Sequence, residues 1–143
     1  IMYEQIFIQF KDVLESELKR KNFSVNFIFK ISGNHMEIHI PGYSGSHYEI
    51  CFRQEYDELA LHFQSSLNAN MNRLNVLIPH ISEMENMTGR KIKSGKLESK
   101  DWKRIWIEEP KSDLTTDTVR GYAITMANFF LSSYPYLQKA YLN

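Results

Sequence analysis

His39, Glu49 and His62 offer two imidazoles and a carboxylate that strand alternation can bring to one place. Each falls on the polar side of a stretch that alternates apolar and polar residues. Two imidazoles and one carboxylate form a donor set that holds iron or zinc with positions left open. The same side chains also read as cross-strand charge pairing. Lys30 beside Glu37 and Arg53 beside Glu58 would be opposed opposite charges, worth roughly 0.2–1 kcal/mol each, and Glu49 between two histidines fits that scheme. Charge pairing is the favoured reading, with no cofactor and no catalytic residue assigned. The alternative is a metal-dependent enzyme that uses His39, Glu49 and His62 on the polar face.

A second group is basic. Arg90, Lys91, Lys93, Lys96, Lys100, Lys103 and Arg104 fall within fifteen residues, with Trp102 and Trp106 among them. Cations beside aromatic rings suit phosphates and stacked bases. Residues 90–104 carry a net charge of +5, in a chain whose formal net charge is zero. Glu98, Asp101, Glu108 and Glu109 sit close enough to neutralise part of that field. A lysine-rich edge also keeps sheets from pairing with one another. The expected ligand contact is therefore weak, non-specific and salt-dependent nucleic-acid binding through Arg90, Lys91, Lys93, Lys96, Lys103, Arg104, Trp102 and Trp106.

The elements that must position these groups follow from periodicity. Val25 to Gln64 alternates at period two, four times over, which is the pattern of half-buried strands. Val25, Phe27, Phe29 and Ile31 share one face with Met36, Ile38 and Ile40, then Tyr48, Ile50 and Phe52, then Leu59, Leu61 and Phe63. Glycine, proline, asparagine and serine punctuate the breaks. Short connections make the neighbours antiparallel. Keeping apolar beside apolar pairs Ile31 with Met36, Ile40 with Tyr48, and Phe52 with Leu59. The polar rows would then be Lys30, Glu37, Cys51, Ala60; His35, Arg53, Glu58; and Ile28, His39, Glu49, His62.

Helical spacing marks Tyr3 to Lys21, Leu67 to Thr88 with Gly89 as its cap, and a last helix through Val119, Tyr122, Met126 and Phe130. Pro79 should kink or split the middle one near Leu77. Residues 90–109 read as two or three short strands with a turn near Ser99, Lys100 and Asp101. Tyr134, Tyr136 and Tyr141 give the C-terminal tail either a docking role or an interface.

The chain's 143 residues suit one domain, 1–143. Its single cysteine, Cys51, cannot form an internal disulfide, so a reducing, cytoplasmic setting is expected. No apolar run approaches the roughly 20 residues needed to span a bilayer, and no signal-peptide pattern is visible. There is no glycine-rich phosphate loop and no Gly-x-Ser-x-Gly elbow. Glu37-Ile38-His39 and Glu49-Ile50-Cys51 lack the lysine of a restriction-type nuclease motif.

The run Ser46-His47-Tyr48-Glu49-Ile50, Leu59-Ala60-Leu61-His62-Phe63, Asn72 to Gly89, Arg104-Ile105, and Phe129-Phe130 with Tyr134-Pro135 resembles a small prokaryotic family of unknown function. Its members stand alone or are joined to restriction-endonuclease-like modules. The resemblance covers about residues 46–137 and implies an association with DNA processing or phage defence.

The expected fold is α+β: an antiparallel four-stranded meander extended by a basic hairpin, with three helices on the apolar face. The expected function is a non-catalytic binding or accessory module, with a protein partner or a second copy of itself.

Overall fold

The computed structural model describes residues 2–142; the side chain of Lys100, one of the seven cations above, lies outside the described residues. The fold is α+β, with one six-stranded antiparallel sheet. Helix α1 (Glu4–Arg20) buries Phe7, Phe10, Leu14 and Leu18, a stripe at helical spacing. Strands β1 (Ile28–Ser32), β2 (His35–His39), β3 (Ser46–Phe52) and β4 (Tyr56–Phe63) follow. The second apolar stripe breaks at Pro79, which cannot donate a backbone hydrogen bond. It becomes α2 (Leu67–Leu77), a 3-10 turn at Ile78–His80, and α3 (Ile81–Thr88), closed by Gly89 at φ +67°. Strands β5 (Lys93–Leu97) and β6 (Ser99–Pro110) pair with each other, and α4 (Thr116–Leu142) ends the chain. The sheet order is β1-β2-β3-β4-β6-β5.

The helices lie against the apolar face. Phe52 stacks on Phe7 of α1 at 5.2 Å between ring centroids, and Tyr48 meets Phe129 and Phe130 of α4. Ile38, Ile50, Phe52, Leu61 and Phe63 are buried, as the alternation requires. Phe27 and Phe29 are half-buried, not buried as expected, and regular pairing starts at Ile28 rather than Val25. Their strand is an edge, so cover comes from one side only. The C-terminal tyrosines dock onto the body. The Tyr141 hydroxyl lies 2.6 Å from Ser46 Oγ, Tyr136 donates to Glu83, and Tyr134 meets Tyr43.

Ile31 pairs with Met36 as parity and turn length dictate, but the next two registers differ from expectation by two residues. Tyr48 faces Ile38, not Ile40, and Leu59 faces Ile50, not Phe52. A two-residue slip keeps every side chain on its face, so apolar matching cannot detect it. Two polar residues explain the slips. Ser46 opens β3 at a buried position on the apolar face, satisfied by Tyr141. Asp57 sits opposite Phe52, buried, accepting from the Tyr122 hydroxyl at 2.7 Å and from Lys111 at 2.7 Å. Each is a polar side chain in an inward position made tolerable by its partners. The β5–β6 turn also comes earlier than expected, at Glu98, whose φ is +33°.

Candidate ligand pocket on the polar sheet face

The corrected register rebuilds the rows of the polar face. Glu37 faces Glu49, which faces Ala60; His35 faces Cys51, which faces Glu58; His47 faces His62, which faces Arg104. The row expected to hold His39, Glu49 and His62 is therefore broken. Glu49 and His62 meet, but their third neighbour is His47, which the sequence reading missed. His39 instead lies beside Glu37, with Nε2 at 2.7 Å from Oε1, and its ring is 4.9 Å from that of His47. The signal was present in the sequence: His47 shares parity with His39 and Glu49, and shifting the register by two brings it into line.

The centre of this face, on β3 and β4, is buried. The tip of the β5–β6 hairpin lies over it, placing Leu97, Glu98 and Trp102 above Asn34, His35, Glu37, Glu49, Cys51, Arg53, His62 and Gln64. Together they line a partly open pocket of about 310 Å³. Arg53 ties the tip down, reaching Glu58 at 2.9 Å and Glu98 at 3.1 Å. His47, Glu49, Cys51, Glu58 and His62 are all buried.

Two kinds of carboxylate share the floor. Glu58 is fully neutralised: it accepts from Arg53, from Arg104 Nη1 and from His62 Nε2 at 3.2 Å. Burial would raise its pKa, but His62 and the two guanidiniums outweigh that and hold it at about 2. Glu37 and Glu49, directly opposed like charges, have only imidazoles as ion-pair partners among the described residues. Opposed carboxylates repel. Burial lowers the pKa of His47 below its ordinary value, against the opposing hydrogen bond with Glu49 at 3.1 Å. Burial also pushes the Cys51 thiol up to about 12, so it stays protonated and is no nucleophile.

The eight basic-stretch residues do not converge on one surface. Arg104 turns inward to Glu58 and lies 3.7 Å over the Trp106 ring, whose indole N–H donates to Glu108. Arg90 is paired with Glu109 at 2.6 Å and Lys93 with Glu108 at 3.0 Å. Lys103 is half-buried opposite Phe63. Lys91 and Lys96 are exposed. Trp102 belongs to the pocket rim.

No helix among the described residues is long and apolar enough to cross a membrane. No family model, no curated protein and no solved structure matches this chain.

Proposed function

We propose that this chain is a non-catalytic binding module whose ligand site is the polar pocket beneath the hairpin tip, and that the ligand carries positive charge. One observation supports this above the others. Among the described residues, buried Glu49 has only imidazoles as ion-pair partners and lies opposite half-buried Glu37, which also has only imidazoles, while the buried Asp57, Glu58 and Glu109 each have an arginine or lysine. Buried charges are normally paired, and departures from local rules gather at functional sites. Catalytic roles find less support, since Cys51 holds its proton and Glu58 is saturated with donors.

Trp102 reports on the pocket. In a Trp106→Phe background, its fluorescence is followed while small organic amines and divalent cations are added. A saturable change, lost in Glu49→Gln, is the expected result. Silence across the whole panel would remove the reading and turn attention to Lys91 and Lys96 on the hairpin. The partner or second copy expected from the sequence, and the link to DNA processing implied by the resemblance, would then be tested on that surface.

A further inference from the structure

Among the described residues, one buried side-chain nitrogen or oxygen has no hydrogen-bond partner: His62 Nδ1. The His62 side chain is 2% exposed, so water does not satisfy that atom at the surface. Buried polar groups are almost always paired, and an exception asks for a physical reason. The other nitrogen of the ring supplies a constraint. His62 Nε2 lies 3.2 Å from Glu58 Oε2, and Glu58 is an anion held by two arginines, so the Nε2–H donates to it. With Nε2 engaged by Glu58, Nδ1 is the ring's remaining nitrogen, 3.5 Å from Glu49 Oε1 and without a hydrogen bond to it. A buried nitrogen and a carboxylate oxygen set side by side in this way suit a shared positive centre.

We propose that His47, Glu49 and His62 bind a divalent first-row transition metal, with zinc or ferrous iron as the class of ion; this rests on the pocket being a site for cationic ligands. One donor atom from each of the three lies within 4.8 Å of the others, and all three residues are buried. The separations fit. An ion about 2.1 Å from each donor sets tetrahedral donors about 3.4 Å apart. His47 Nε2 and His62 Nδ1 stand 3.1 and 3.5 Å from Glu49 Oε1. Two imidazoles and a carboxylate leave further coordination positions open.

The outer shell is also present. A metal-bound histidine usually donates its second ring N–H to a carboxylate, which fixes the ring and makes it a better donor. Glu58 does this for His62, and Arg53 and Arg104 fix Glu58. Other groupings on this face fit less well. Glu37 and His39 already satisfy each other at 2.7 Å and are half-exposed. In the set Glu49, Cys51 and Glu58, the last has no acceptor capacity to spare.

The test uses the whole chain, stripped with chelator and dialysed. Zinc is titrated against a chromogenic indicator, and cobalt(II) is added separately to read coordination from its visible absorbance. The expected result is one equivalent per chain and a cobalt spectrum of low coordination number. His47→Ala and His62→Ala should abolish both, with circular dichroism showing that the variants fold. His39→Ala should leave uptake unchanged. Glu58→Gln, which keeps all three ligands, should weaken binding roughly 10–100-fold, the usual effect of losing an outer-shell partner. No stoichiometric uptake by the folded wild type, or uptake that survives His62→Ala, overturns the metal assignment. If zinc fails while organic amines still move the Trp102 signal, only this inference falls. If both fail, the pocket reading falls with it.

Discussion

Both faces of the sheet are buried at their centre, but by opposite means. On one, Phe7 and Phe10 of α1 and Phe129 and Phe130 of α4 close over Tyr48, Ile50, Leu61 and Phe63. On the other, a hairpin tip closes over glutamates, histidines and an arginine. Apolar burial is non-directional and asks only for volume and shape. Polar burial asks for a partner for every atom. The apolar face tolerates Ser46 and Asp57 because Tyr141, Tyr122 and Lys111 reach them. The polar face satisfies Glu58 three times over and leaves His62 Nδ1 with nothing. A single unsatisfied atom therefore says more about function than the whole aromatic core does.

The largest expected effect lies on the apolar side. Phe52 stacks on Phe7 and contacts Tyr3, and it is 4% exposed. Phe52→Ala should cost roughly 3–5 kcal/mol in a urea titration. A near-neutral value would mean that the helices do not carry this face.

The polar side is sharpened by acid. The Glu58 carboxyl is held from its ordinary 4.5 down to about 2, so its contribution is present above about 4.5 and is lost as pH falls towards 2. The shift corresponds to about 3 kcal/mol. His47, with its pKa lowered by burial, acts in the same direction: protonation of the unfolded chain below 6.5 favours unfolding. Stability measured by urea unfolding from pH 7 to pH 3 should fall throughout. A flat profile would show that the ionic floor contributes nothing.

The smallest expected effect concerns the hairpin cations. Arg90, Lys93 and Arg104 are each paired with a glutamate. A labelled oligonucleotide should therefore bind weakly at low salt and not at about 0.15 M, where the Debye length is near 8 Å. Strong binding at moderate salt, lost when Lys91, Lys93 and Lys96 become glutamate, would move the ligand from the pocket to the hairpin.

Much of the fold was legible because periodicity carries it. The alternation from Phe29 to Phe63 identified the face, and Pro79 and Gly89 marked the helix break and cap. Register was not legible. Parity survives a two-residue slip, and the slips depend on Ser46 and Asp57 finding partners in α4 and beyond β6, which local sequence does not announce. The site inherited that error: Glu49 and His62 were identified, His39 was placed a residue pair too close, and His47 was missed. The cover over the polar face was invisible too, because Leu97 and Trp102 reach it only once the hairpin folds back.

Glu49 decides whether this corner of the polar face is arranged for a cation, where Glu58 beside it serves stability. Urea unfolding of wild type and Glu49→Gln is compared without metal and with excess zinc. A glutamine can still accept from His47 while removing the repulsion from Glu37, so the metal-free variant should be as stable as wild type or more so. Zinc should stabilise the wild type by about 3 kcal/mol at a hundredfold excess over its dissociation constant, as mass action requires, and should leave the variant unmoved. A variant that is strongly destabilised without metal, or that gains as much from zinc as the wild type does, would contradict the account.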